Sequence, residues 1–249
     1  MLNTLSRGLP VLGGTPLFSD TLTSQQEKLL GMQKHGTYYV LRLYSISFPL
    51  VRLREKNPKG SDYFMEHRAV FLDRDGVLNR SIGKRPPNTP EELEMLPGAA
   101  KAVKELNDAG FKVFVVTNQG GVALGYMTKE DLEAIHARLQ EEVAREGGVI
   151  HEIAACTHRP WAKCNCRKPK PGMLIQLARR HKIDLENSFM VGDREMDILA
   201  GQGAGTTTIL VGDGEEETTA DYAVADLAEA ARLIIEQLGP QLPPQGGKS

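Results

Sequence analysis

Arg68-Ala69-Val70-Phe71-Leu72-Asp73-Arg74-Asp75-Gly76-Val77 is the stretch on which the fold turns. Ala69 to Leu72 is an uninterrupted apolar run closed at once by polar residues and a glycine, the pattern of a strand buried on both faces of a parallel sheet. Residues two apart on an extended chain project to the same side, so the carboxylates of Asp73 and Asp75 face one cavity. Two like charges that close resist joint ionisation. A divalent cation can hold one carboxylate as the anion while the other serves as acid or base.

Working outward, short apolar runs alternate with segments of helical period, which predicts βαβ units and a doubly wound (Rossmann-like) α/β fold. Further strands are expected at Lys112 to Val116, Ile150 to Ala155, Phe189 to Val191 and Thr208 to Val211. Between them fall a helix after Pro97-Gly98 with Val103 and Leu106 on one side, and a long helix capped by Thr128 and Asp131 that carries Leu132, Ile135, Leu139 and Val143. Pro171 opens another helix with Leu174, Leu177 and Ala178 inward, one more joins the last two strands, and the final helix spans Asp226 to Gln237. Residues 67–238 form the expected catalytic domain, and the Pro/Gly-rich tail 239–249 is expected to be disordered. Residues 1–66 have poor periodicity and eight Lys/Arg against five Asp/Glu, and are expected to be peripheral or disordered, with Met65 an alternative functional start. Tyr38 to Leu41 and Ser45 to Phe48 are strand-like within that leader.

Composition narrows the partners. A formal charge of -2 gives no electrostatic footprint for nucleic acid, so a small molecule is expected. The most apolar leader stretch, Tyr38 to Leu53, is broken by Arg42, Pro49 and Arg52, and the start lacks a secretory pattern, so no membrane partner is expected and the cytoplasm is the expected compartment.

Ligands of open parallel sheets lie beyond the carboxyl ends of the strands, and the residues closing the other strands agree with the first. Thr117-Asn118-Gln119-Gly120-Gly121 offers a hydroxyl, amides and flexible backbone donors suited to phosphate oxygens. Gly192-Asp193-Arg194 brings a third carboxylate, with Asp197 one helical turn on, and Cys166-Arg167-Lys168-Pro169 brings two cations. Each piece alone is commonly a turn, a cap or a solvated charge. Jointly they place carboxylates, a hydroxyl and a lysine on one rim, as phosphoryl transfer requires. All three cysteines lie in Cys156-Thr157-His158 and Cys164-Asn165-Cys166. Three thiolates and one imidazole make a closed tetrahedral set, the composition of a structural zinc site in a loop over 156–166. His136 and His151 are read as structural or exposed, and Trp161 as lining the pocket or merely packing.

These motifs resemble the haloacid dehalogenase superfamily from Arg68 to about Gln237: Asp73-Arg74-Asp75-Gly76-Val77, Thr117, Lys168 and Gly192-Asp193-Arg194-Glu195-Met196-Asp197. The resemblance implies a phosphomonoester hydrolase in which Asp73 is the nucleophile that forms an aspartyl-phosphate. Asp75 would be the acid and base, with Thr117 and Lys168 holding the phosphoryl group. Mg²⁺ would be held by Asp73, the Asp75 carbonyl and Asp193, with Asp197 in support. The cysteine loop beside Cys-Arg-Lys-Pro-Lys-Pro-Gly-Met is similar to the branch without a large cap domain, which contains the D-glycero-D-manno-heptose 1,7-bisphosphate and histidinol-phosphate phosphatases. The implied substrate is a small phosphorylated sugar, foremost the heptose bisphosphate, with a monomer expected. Asn118, Gln119, Arg167 and Arg194 would contact the rest of the substrate. Two features depart from the heptose enzymes: Leu124-Gly125-Tyr126 stands where they have Arg-Gly-Tyr, and the interval from His158 to Cys164 is short, as in the histidinol-phosphate type. The stretch after the nucleophile departs as well, since Ser81 to Pro90 carries Lys84-Arg85-Pro86-Pro87, cations that could hold a second phosphate. A rival of another class is a zinc-stabilised binding module without catalysis; a phosphatase of nucleic-acid ends is disfavoured by the acidic balance of the catalytic part.

Overall fold

The computed structural model describes residues 32–35, 38–41, 67–83, 85–212 and 217–238. The chain divides into two units, Met1–Gly60 and Ser61–Ser249. In the first, β1 (Met32–His35) pairs antiparallel with β2 (Tyr38–Leu41), Met32 facing Leu41 and His35 facing Tyr38. Tyr38 to Leu41 is thus a strand as expected, whereas its partner was not anticipated: the intervening pair Gly36-Thr37 has glycine first, a two-residue hairpin signal. Ser45 to Phe48 lies outside the described residues.

The second unit is built on a six-stranded, all-parallel sheet. Its strands are β3 (Ala69–Leu72), β4 (Lys112–Asn118), β5 (Glu152–Cys156), β6 (Phe189–Gly192), β7 (Thr207–Val211) and β8 (Tyr222–Val224), in the order β5-β4-β3-β6-β7-β8. The chain leaves the central β3 in one direction, then crosses back to start β6 on its other side. The crevice of such a sheet opens at that reversal, between the carboxyl ends of β3 and β6. The helices are α1 (Ala99–Asp108), the single turn α2 (Gly121–Leu124), α3 (Lys129–Arg145), α4 (Gly172–His181), α5 (Glu195–Ala204) and α6 (Leu227–Leu233).

Alternation along the strands feeds two cores. Val70, Leu72, Val113 and Val115 pack on the side of α1, α3 and α6, while Ala69, Phe71, Phe114 and Val116 pack on the side of α4 and α5. Phe71 and Phe114, cross-strand neighbours, stack with ring centroids 5.6 Å apart. The expected cap of α3 is present: Asp131 N–H donates to Thr128 Oγ1 at 3.0 Å, and Thr128 N–H donates to Asp131 Oδ2 at 2.9 Å. Asp226 caps α6 through its Oδ1, which accepts from Glu229 N–H at 2.9 Å. Among the described residues, only loops and one 3₁₀ turn at Pro90–Glu92 stand between β3 and α1, so no large cap domain is inserted there.

Leu139, wholly buried on α3, gives a direct check of this packing. Leu139→Ala should lower the unfolding free energy by about 2–5 kcal/mol, read as a shift of the urea midpoint. A change below about 0.5 kcal/mol, the range of surface substitutions, would contradict the assigned core.

Candidate active site and metal centres

Four charged side chains meet where β3 and β6 end. Asp73 follows β3, its N–H bonded to Val191 O of β6 at 2.9 Å. Asp193 follows β6, Asp197 sits in the first turn of α5, and Lys168 arrives from the loop before α4. Close approach depends on glycine. A Cβ at Gly76, where φ is +93°, would lie 2.2 Å from Asp193 Oδ2, and one at Gly192 would lie 2.1 Å from the Asp197 Cβ.

Lys168 is 2% exposed, and its Nζ reaches three acceptors: Asp73 Oδ1 at 2.7 Å, Asp197 Oδ1 at 2.6 Å and the Val116 carbonyl at 2.7 Å. Its contacts to Asp73 and Val116 are hydrogen bonds, and the one to Asp197 is an ion pair. Its backbone is fixed as well, since Asn118 Nδ2 donates to Lys168 O and Asn118 Oδ1 accepts from Lys168 N–H, both at 3.1 Å. Burial opposes the lysine's charge, but the Asp73 and Asp197 carboxylates outweigh it and hold the ammonium above its ordinary value.

One ammonium does not balance three carboxylates. Burial pushes the Asp73 carboxyl up to about 7, with Lys168 opposing and Asp197 adding to the rise. Burial, then the Asp197 charge, pushes Asp193 up to about 6. Asp193 Oδ1 is buried without a hydrogen-bond partner among the described residues, and oxygens of Asp73, Asp193 and Asp197 lie within 4.8 Å of one another. Excess negative charge, an unpartnered oxygen and an all-oxygen donor set fit a hard divalent cation.

Asp75 lines the same cleft as Asp73. Its carboxylate is held on three sides: Arg74 Nη2 donates at 3.0 and 3.1 Å, Asn79 Nδ2 at 3.0 Å and Gln119 Nε2 at 2.8 Å. Arg74 is fully buried, a cation enclosed by the core and directed at one carboxylate. Behind it stands His136 of α3, pushed down to about 4 by burial and then by the Arg74 charge, so the imidazole is neutral and structural as expected.

Two expected substrate contacts are placed differently. Gln119 is fully buried and does not line the cleft; its Nε2 joins Asp75 Oδ2 to Thr117 Oγ1, the latter at 2.7 Å. This amide bridges Asp75 and Thr117 instead of lining the cleft. Arg167 is half-buried and also absent from the lining, its Nη1 packed against Gly120. Asn118 and Arg194 do line the cleft, with Thr117, Lys168, Ser81, Arg85, Pro86, Met196 and Asp197. The sequence reading missed Arg74 and Asn79, whose only signal was a charged and an amide residue flanking Asp75 in a buried turn. Lys84 lies outside the described residues. Trp161 is 68% exposed and absent from the lining, and its ring lies 5.9 Å from the Arg159 guanidinium.

The second cluster begins where β5 ends. Cys156 Sγ lies 3.7 Å from Cys164 Sγ, 3.3 Å from Cys166 Sγ and 3.6 Å from His158 Nδ1, and Cys166 Sγ lies 3.2 Å from that nitrogen. Ligand atoms on a tetrahedral thiolate and imidazole site stand about 3.5–3.8 Å apart, close to these edges. Burial, then Cys156 and Cys164, push the Cys166 thiol up to about 12, so a cation is needed to keep the thiolates together. Gly172, the first residue of α4, lets the helix abut this loop: a Cβ there would meet Asn165 O at 2.1 Å.

Comparison with known proteins bears on the same parts. Residues 165–239 match the HAD-hydrolase-like family model. The chain belongs to the HAD-like hydrolases and is a phosphatase. Over 175 residues it is 41% identical to the D-glycero-beta-D-manno-heptose-1,7-bisphosphate 7-phosphatase of Pseudomonas putida, which spans 68% of this chain and 99% of that one. It is 40% identical over 179 residues to the enzyme of the same name from Pseudomonas aeruginosa, spanning 69% and 100%. The crystal structure of D,D-heptose 1,7-bisphosphate phosphatase from B. bronchiseptica, complexed with magnesium and phosphate, superposes with a TM-score of 0.61 at 36% identity, covering 67% of this chain and 97% of that one.

Burial of these carboxyl groups should show in the stability of the fold. Asp73 and Asp193 are raised from an ordinary 3.8 to about 7 and about 6, so the folded protein keeps protons that the unfolded chain releases. Their contribution to stability is present in full below the unfolded pKa and is lost as pH rises through about 7. In magnesium-free buffer the melting temperature should fall between pH 5 and pH 7.5, and Asp73→Asn should flatten that fall. An identical slope in the variant would show that Asp73 is not the raised group.

Proposed function

We propose that this chain is a magnesium-dependent phosphomonoesterase that works through an aspartyl-phosphate on Asp73 and removes the 7-phosphate of a heptose 1,7-bisphosphate. The observation that carries this reading is the fixed Asp73 carboxylate, 2.7 Å from a buried lysine, in one cleft with Asp75, Thr117 and two acidic neighbours. The substrate is argued from the relatives at about 40% identity.

In the first step an Asp73 oxygen attacks phosphorus in line with the ester oxygen, and Asp75 gives its proton to that departing oxygen. In the second, the Asp75 carboxylate takes a proton from a water that attacks the same phosphorus, which releases inorganic phosphate and restores Asp73. Covalent catalysis divides one difficult displacement into two easier ones. Lys168 and the Thr117 hydroxyl donate to the phosphoryl oxygens as their charge grows. Arg74, Asn79 and Gln119 keep Asp75 aimed at the ester oxygen. Asp73, Asp193 and the Asp75 carbonyl would hold Mg²⁺, which supplies charge neutralisation around the phosphoryl oxygens when bound. Asp197 is assigned to Lys168, which it holds at 2.6 Å. Cys156, His158, Cys164 and Cys166 would bind structural zinc, fixing the loop that leads two residues later to Lys168.

Phosphate release should be faster from the heptose bisphosphate than from histidinol phosphate at equal concentration. Asp73→Asn should lose about 10³-fold or more of turnover while its circular dichroism is unchanged. Ordinary turnover by that variant would refute the nucleophile, and preference for histidinol phosphate would refute the substrate. Elemental analysis of protein purified without chelators should find one zinc per chain, and Cys164→Ser should lose it together with several degrees of melting temperature. Absence of zinc from the unaltered protein would refute the closed site.

A further inference from the structure

Three places outside the catalytic cluster carry unused chemistry: the His181 and Glu152 pair at 2.7 Å, the exposed Trp161, and Arg85 at the cleft wall. The last goes furthest, because its geometry is fixed and its partner leaves part of it open. Arg85 Nη1 and Nη2 each donate to one oxygen of Glu92 at 2.7 Å, and Nη1 also donates to Pro86 O at 3.0 Å. A guanidinium has two forked faces. Glu92 takes the end-on face, while the side face, Nε with the second hydrogen of Nη2, has no partner among the described residues.

Glu92 is itself anchored. Asn88 N–H donates to its Oε2 at 2.8 Å, and the 3₁₀ turn that carries it is held by Arg138 of α3, whose Nη1 donates to Pro90 O at 2.6 Å. An ordinary surface pair of arginine and glutamate contributes little. This one differs in that Arg85 lines the catalytic cleft, beside Ser81 and Pro86 and with Arg194 also in the lining. A side chain oriented before binding loses less freedom when a ligand arrives. Lys168 is buried against Asp73, Asp197 and Val116 and is assigned to the phosphoryl group that reacts, so a second anionic group needs another cation.

We propose that Arg85, held by Glu92, is a specificity residue that grips the phosphate which is not hydrolysed, through the open side face of its guanidinium. This rests on the bisphosphate reading above. A planar fork suits two phosphate oxygens at once, whereas an ammonium offers only a point charge.

The test is the ratio of kcat/KM for a bisphosphate to that for its monophosphate lacking the distal group, in unaltered protein, Arg85→Ala and Arg85→Lys. Two pairs are used: heptose 1,7-bisphosphate against heptose 7-phosphate, and fructose 1,6-bisphosphate against fructose 6-phosphate. Arg85→Ala should lower the ratio about tenfold or more, mainly through the KM of the bisphosphate, and Arg85→Lys should recover it only in part. An unmoved ratio, or full recovery with lysine, would overturn the proposal. If the unaltered protein ignores the heptose pair but Arg85→Ala still lowers the ratio for the fructose pair, the heptose assignment falls and Arg85 keeps its role. If the unaltered protein prefers heptose bisphosphate and Arg85→Ala leaves the ratio unchanged, the heptose assignment stands and the role of Arg85 falls.

Discussion

The ammonium of Lys168 is the constraint on which the site depends. It is buried, hydrogen-bonded to Asp73 and the Val116 carbonyl and ion-paired with Asp197, and it ties the ends of β3, β4 and α5 to one point. Removing one partner of a buried charge pair costs about 3–5 kcal/mol, because the other charge is left uncompensated. Three acidic groups gather around this one cation, and their excess negative charge suits a divalent cation beside it. Burial, with the Asp197 charge adding to it, raises the Asp73 carboxyl to about 7 against the pull of Lys168.

Lys168 in turn needs a loop that has little core of its own. Asn118 clasps its backbone from the β4 side, and the cluster of Cys156, His158, Cys164 and Cys166 closes the loop two residues earlier. The path from sulfur to lysine is short, and α4 can abut it because residue 172 is glycine. A doubly wound sheet places these loops around the crevice where the strand order reverses. With no large cap domain inserted after β3 among the described residues, the cleft is walled by Ser81, Arg85 and Pro86 of the loop between β3 and α1.

Much of this was legible in the sequence. The buried parallel strands read as continuous apolar runs, and the capping pair Thr128 and Asp131 marked its helix. The residues closing β3, β4 and β6 gave Asp73, Asp75, Thr117 and Asp193 because strand exits in this architecture share one rim, and the cysteines stood out because none lies elsewhere. What was hidden depends on direction rather than identity. Nothing in Thr117-Asn118-Gln119 tells that Asn118 faces the cleft while Gln119 turns inward to Asp75, nor that Arg74 is wholly enclosed. The edge strand β8 is three half-exposed residues, Tyr222-Ala223-Val224, too short and too polar in setting to show a period. The pairing of Arg85 with Glu92 joins residues seven apart across a bent loop, a relation that helical or strand spacing does not express.

The most direct test is chemical capture of the phosphorylated carboxylate. Protein quenched in acid during turnover, treated with borohydride and digested should yield a peptide in which residue 73 has become homoserine, the reduction product of an acyl phosphate. Reduction at any other residue, or none in protein that is releasing phosphate under the same conditions, would contradict the account.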